Sequence, residues 1–273
     1  MFGSITNAIR IGAVLLTAPF AVLASDRGVP PKAAEADVLF LGETHDNPVH
    51  HETQAEWVAA LSPAALVFEM LTPDLAARVT PAVRGDPSAL ADALEWHSSG
   101  WPDFEMYYPI FAAAPQAQVF GAGVRRSQIQ GMMTSELIEV VGAGTAARFG
   151  LDQPLPDDQQ ALRENLQAVA HCDALPKTFL PRMVDVQRLR DATLANVALD
   201  ALKAFGPPVV VITGNGHARE DWGAPALLRL ADPSVAIFSL GQGEAGTAPN
   251  GGYTLVLDAP SVDRGDPCAA FTK

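Results

Sequence analysis

The stretch Val38–His51 reads VLFLGETHDNPVHH, and its order of residue types decides the fold. Val38-Leu39-Phe40-Leu41 is the continuous apolar run of a strand buried on both faces. Gly42 permits a sharp turn, and Asn47-Pro48 pairs an N-cap with proline at the first helical position, predicting a helix from Pro48 to about Leu61. Between strand end and helix start sit Glu43, Thr44, His45 and Asp46, with His50 and His51 in the first helical turn. Open α/β sheets hold their ligands just there, beyond the carboxyl ends of strands. A polar loop before a capped helix explains any one of these residues. A carboxylate and an imidazole two residues apart at a strand tip, answered by a second such tip later, points to chemistry.

That second tip follows Val209–Thr213, VVVIT, a β-branched run typical of a central parallel strand. It exits into Gly214-Asn215-Gly216-His217-Ala218-Arg219, where the glycines permit positive φ and close backbone approach. Ala64–Met70 is another apolar run and carries Glu69 at its end, while Gln118–Gly121, Val235–Leu240 and Tyr253–Leu257 complete the expected strands. Between the second strand and Val209 the pattern is mainly helical, with helices expected near 73–83, 87–97, 128–148 and 157–171 and a long one from Pro181 to Gly206. The expected fold is a single α/β domain over residues 25–273. Its mostly parallel central sheet is flanked by helices, with a large helical insertion or lid at about 72–205 between the N-terminal and C-terminal strands.

Parallel strands send their carboxyl ends to one edge about 5 Å apart, so Glu43 and His45, Glu69, and His217 are expected to converge there. His45 and His217 should face one cavity, with His50, His97 and His171 outside it and His51 on either side. Two imidazoles with carboxylates suit a divalent metal ion such as Zn, Mn, Fe or Co, with Glu43, His45, Glu69 and His217 as ligands. They suit acid–base work without metal equally well. His97 reads as a packed, hydrogen-bonded core histidine. Trp96–Pro109, WHSSGWPDFEMYYP, is the most aromatic stretch of a chain that is only 7% aromatic. It is either a loop pinned to the sheet or, with Trp101, Tyr107 and Tyr108, the wall of a pocket for a flat apolar ligand. Arg125 and Arg126, at a third strand exit, are placed to hold a carboxylate or phosphate.

The net charge of −13 argues against nucleic acid or an anionic membrane as the main partner. Residues 1–24 carry one charge, Arg10, then the apolar Ile11–Leu23 and the small-residue pattern Val22-Leu23-Ala24, which together read as a secretory signal peptide. No cysteine follows the apolar segment, so a lipid anchor is not supported and a periplasmic location is expected. In an oxidising compartment Cys172 and Cys268 are a candidate disulfide.

GETHDN followed by HH, the block WHSSGWPDFEMYYPIF, AHC with a following LP, MVDVQRLRDA and GNGHAREDWGAP occur in consistent order over residues 36–258. Together they resemble the ChaN-like haem-binding proteins, of the Tiki/TraB and erythromycin-esterase-like grouping. The resemblance implies an α/β fold with a helical lid and an exported protein of haem or iron acquisition. Its ligand would be haem, its partner a haem-uptake receptor or transporter, and a homodimer stays open. Haem would take an iron ligand from Tyr107, Tyr108, His45 or His217, packing from Trp101, and propionate contacts from Arg125 or Arg126. Glu43, His45 and His217 also match positions used for metals in the grouping's hydrolytic members. A metal-dependent hydrolase, esterase- or peptidase-like, is therefore the alternative. Many ChaN-like proteins are lipoproteins, and this chain departs from them in lacking the lipid-acceptor cysteine.

Overall fold

A computed structural model describes residues 28–266 together with Cys268 and Ala269. The expected signal peptide, residues 1–24, lies outside the described residues. Six strands form one sheet: β1 (Val38–Glu43), β2 (Ala65–Phe68), β3 (Gln118–Gly121), β4 (Val209–Gly214), β5 (Ile237–Glu244) and β6 (Leu255–Ala259). Their spatial order is β3-β2-β4-β1-β5-β6, and every pairing between neighbours is parallel. The late strand β4 thus sits between the two earliest. Its register sets Glu43 beside Gly214 and Phe68 beside Ile212, which brings three strand exits to one level of one edge.

Alternation along the strands divides the core into two layers. Leu39, Leu41, Leu66, Phe68, Val210 and Ile212 pack against Trp57 of α1 (Pro48–Leu61) and Phe104, Tyr107 and Phe111 of α2 (Phe104–Ala113). Val38, Phe40, Val67, Val209 and Val211 pack on the other face, against α4 (Leu180–Phe205) and α5 (Ala224–Ala231), the helix α3 (Asp157–Ala170) lying outside α4. Each fully buried Leu, Val or Phe side chain contributes about 1.5–3 kcal/mol of transfer free energy. The polar edge of the sheet is therefore carried on an apolar frame with no freedom to shift register.

Proline and glycine redraw several expected helices. The segment at 73–83 divides into Pro73–Ala76 and Pro81–Arg84, since the residue before Pro81 is pushed out of the α region. The one at 87–97 ends at Ala93, followed by a single 3₁₀ turn at Trp96–Ser98. The one at 128–148 becomes three short helices, Arg126–Gly131, Leu137–Val141 and Ala143–Phe149, the last two separated by Gly142 at φ +82°. The helix Asp157–Ala170 and the long Leu180–Phe205 lie where the periodicity placed them. Within the expected helical insertion, β3 joins the sheet as its edge strand.

The site glycines serve space rather than dihedral freedom. Gly42 continues β1, and a Cβ there would come within 2.5 Å of Asn215 Oδ1. Gly214 has φ −62°, and a Cβ on it would meet His45 Nε2 at 2.9 Å.

Candidate functional site

Glu43, last residue of β1, is buried and serves as the hub for four side chains. Tyr107 of α2 donates its hydroxyl to Oε1 at 2.7 Å, and His45 Nδ1 meets the same oxygen at 2.7 Å. Gln54 of α1 donates to Oε2 at 2.7 Å, and His51 Nδ1 lies 3.4 Å from that oxygen. His51 also donates from Nε2 to the backbone oxygen of His45 at 2.8 Å, fixing the loop that carries the exit histidine. His50 accepts from the Thr44 amide on Nδ1 at 2.9 Å and meets the Gly243 carbonyl through Nε2 at 3.2 Å. Burial pushes its pKa down despite that carbonyl, so it acts as a neutral brace.

The carboxylate on Nδ1 sets the tautomer of His45 and leaves Nε2 without a protein hydrogen bond among the described residues. One third of the side chain is exposed, 33%, against 0% for Glu43, and the edge of Trp101 packs on its ring at 4.8 Å between centroids. Burial opposes protonation of His45; the hydrogen bond and charge of Glu43, joined by Glu69, outweigh it and raise the pKa.

The second half of the site stands on β2 and β4. Glu69 Oε2 accepts from Thr213 Oγ1 at 2.6 Å and from the Gly214 amide at 2.9 Å, and Oε1 lies 3.6 Å from His217 Nε2. Burial would raise the Glu69 pKa, but His217, His45 and the two donors hold it at about 2. His217 Nδ1 meets Asp191 of α4 at 2.6 Å. The imidazole thus lies between two carboxylates, which raise its pKa against burial. Through Glu69, the two halves share one electrostatic field: its charge acts on both His45 and His217.

The remaining expected residues divide. Trp101 and Glu69 line a cavity of about 240 Å³ between the sheet edge and the aromatic loop, with Arg190 and Leu194 of α4 as its far wall. Tyr107 is fully buried and committed to Glu43, and burial with that negative charge raises its pKa, so it supports the site from beneath. Tyr108 lines another cavity, with Pro81 and Arg84. Arg125 and Arg126 are exposed, and Arg125 is tied to Asp74 at 3.0 Å; the arginine facing the site is Arg190. His97, expected to be packed, is exposed on its 3₁₀ turn because Trp96 takes the inward position. His50 and His171 lie outside the inner group, bound to backbone carbonyls, and His51 lies inside as a brace.

Glu43, His45, Glu69 and His217 therefore meet on one edge, Glu43 on His45 and Glu69 beside His217, but the two imidazoles do not face one cavity as expected: His217 lines a cavity of about 310 Å³ that does not include His45. Among the described residues, no group of three or more His, Cys, Asp or Glu side chains is arranged to hold a metal ion. Three participants escaped the sequence reading. Asp191 and Arg190 sit in a long helix whose facing is set only by packing, although both fall in the segment MVDVQRLRDA. The third, Gln54, is two turns into α1, and only its bonds to the Leu41 carbonyl and Glu43 reveal it.

Fold and site define a parallel α/β protein with paired carboxylate–histidine groups at the exits of its central strands. The chain belongs to the family described as haem-binding uptake, Tiki superfamily, ChaN, whose model matches residues 29–228. Its fold is similar to that of ChaN of Campylobacter jejuni, solved with cofacial haem binding, at 18% identity and TM-score 0.59, covering 78% of this chain and 84% of that one. Weaker likenesses are to the type III effector HopBA1 (16% identity, TM-score 0.47, 84% and 90% covered) and an erythromycin esterase in its open conformation (13%, 0.44, 78% and 71%). No curated protein matches the chain.

Proposed function

We propose that this protein binds haem at the strand-exit edge, with His45 as the iron ligand, and that it does so after export, in haem or iron acquisition. The observation that carries the reading is His45: its Nδ1 is held by a buried carboxylate, its Nε2 has no protein partner among the described residues, and its ring is partly exposed against Trp101. An imidazole so oriented is a good donor to iron. Trp101 would pack on the porphyrin and Arg190 would meet a propionate. Bound haem would supply the iron; the chain supplies the ligand, its orientation and the surrounding charge. The Campylobacter protein of similar fold was solved with cofacial haem, which supports haem as the ligand class. Export is supported by the leader-like residues 1–24 and by the Cys172–Cys268 disulfide.

Titration of the purified chain with haemin tests the site. A saturable Soret band is expected, shifted and at least about tenfold weaker in affinity in His45→Ala. No spectral change at micromolar haemin, or an unaltered one in that variant, refutes the reading. Fractionation of the native host, with the chain in the cytosol, would refute export.

His217 between Glu69 and Asp191 favours a second reading, metal-free hydrolysis with imidazole as the proton carrier. Ester turnover abolished by His217→Gln would support it. No turnover on a broad ester panel would dispose of it.

A further inference from the structure

His217 and Asp191 also line a second cavity of about 310 Å³, which does not include Trp101 and is walled by α3, α4 and the segments after β4 and β5. Leu166, Ala170, Val184, Trp222 and Pro249 give it an apolar wall. Arg163 of α3 lines it, is 9% exposed, and has no hydrogen-bond partner for its Nε among the described residues. One of its terminal nitrogens donates to Gln159 at 3.2 Å, and its guanidinium lies 4.9 Å from the Trp222 ring centre. No carboxylate stands within ion-pair distance of it among the described residues. The neighbouring Arg219, by contrast, is satisfied by two 2.6 Å bonds to Asp221, and Asp191 is taken by His217. Burial pulls the Arg163 pKa down to about 10 against the pull of the Asp191 and Asp221 charges, so it remains a cation at neutral pH.

A buried cation with an unfilled donor and no carboxylate within ion-pair distance, set beside an apolar wall, is an incomplete arrangement: burying a charge without a close partner is unfavourable, and a counter-charge at the guanidinium relieves it. We propose that this cavity binds a small organic carboxylate built on one flat ring, its carboxylate meeting Arg163 and its ring resting on the apolar wall. A neutral ligand would bring no charge into contact with the guanidinium. An inorganic anion would answer it but leave the apolar wall wet. The volume lies at the lower end for ligand pockets, about 300–1,000 Å³, which suits a ligand of one ring. Asn215 and Asn250, also on the wall, offer amides to orient a ring substituent.

Calorimetric titration of the full chain with benzoate, benzamide and inorganic phosphate tests the inference. Benzoate is expected to bind saturably with a Kd at or below about 1 mM, and benzamide and phosphate at least about tenfold more weakly. Arg163→Gln should weaken benzoate at least about tenfold, and Ala170→Trp, which plugs the mouth from an exposed helix position, should do the same with an unchanged melting temperature. Haemin titration of Arg163→Gln should match the parent chain, which separates this cavity from the haem site. No benzoate binding, equal binding of phosphate or benzamide, or equal affinity in both variants overturns the proposal. So does loss of haemin affinity in Arg163→Gln, which would make the two sites one.

Discussion

His217 lies 2.6 Å from Asp191 on Nδ1 and 3.6 Å from Glu69 on Nε2, and these carboxylates outweigh burial, which by itself would discharge the ring. Replacing Asp191 by Asn keeps the shape and removes one charge, so the His217 titration should move to lower pH in an NMR experiment; an unmoved titration would show that Asp191 does not hold the proton. The raised values of His45 and His217 also stabilise the fold. Their contribution is complete below the unfolded value of about 6.5 and is lost as pH rises through the folded-state values. Glu69, held at about 2, works in the opposite sense: its contribution is present above the unfolded carboxylate value and lost as pH falls toward about 2. His50, whose pKa is lowered, favours folding above about 6.5 and partly offsets the other two histidines. Melting temperatures should thus be highest at mildly acidic pH, roughly 5–6.5, and the decline toward pH 9 should flatten in His217→Gln. A parent chain most stable at pH 9 would contradict this balance. Haemin affinity should rise with pH over the same range, because a proton on His45 competes with iron. That Glu43, His45, Glu69 and His217 converge on one edge was legible because each stands at or just beyond the end of an apolar run, and parallel strands send those ends the same way. Asp191 and Arg190 were not, since a 26-residue helix offers many polar positions and only packing selects those that face inward.

At the scale of elements, the two strand tips depend on helices α1 and α2, which share the buried hydrogen bonds to Glu43. Tyr107→Phe would leave the tilted ring contact with His51, at 4.2 Å between centroids, and remove one donor from a buried carboxylate. A loss of about 1–3 kcal/mol is expected in chemical denaturation. A neutral result would mean that water replaces the hydroxyl. Strand limits were readable to within a few residues because the apolar runs are continuous. In the aromatic stretch, Tyr107 pins the helix to the sheet, the first of its two readings, and Trp101 lines the cavity beside Glu69. Helices between residues 73 and 148 were misjudged where proline and glycine punctuate otherwise periodic sequence, Pro81 and Gly142 being the decisive breaks. Gly214 shows a subtler failure. Its need is for space beneath the His45 ring, a tertiary contact that no local pattern encodes. Gly214→Ala should therefore displace that ring and destabilise the chain by about 1–3 kcal/mol.

Across the whole molecule, the C-terminal segment runs back over the first strand exit. Arg264 clamps Asp46 and Glu244, with bonds of 2.6 Å to each, and Asn47 donates to Glu244 at 2.7 Å and to the Pro260 carbonyl at 2.9 Å. Beyond Arg264, Cys268 is bonded to Cys172 near the end of α3, 96 residues away in sequence. The pairing had been expected from the even cysteine count; the route of the tail across the GETHDN loop was invisible in sequence, because Arg264 meets Asp46 across 218 residues. Closing so long a loop removes entropy from the unfolded chain, on the order of 4–5 kcal/mol in the chain-entropy model. Arg264 is partly exposed, and its ion pairs stand in solvent-screened surroundings, so the clamp adds about 1 kcal/mol at most. The disulfide should accordingly dominate. The double variant Cys172→Ser with Cys268→Ser is expected to unfold at markedly lower denaturant, with most of that 4–5 kcal/mol lost, whereas Arg264→Ala changes stability little. In both, amide exchange at Thr44–Asn47 should quicken, since each variant loosens the strap above that loop. Thiol counting on denatured, non-reduced protein gives the independent check: no free thiol is expected, and two free thiols in exported material would remove the disulfide and the strap's main anchor together.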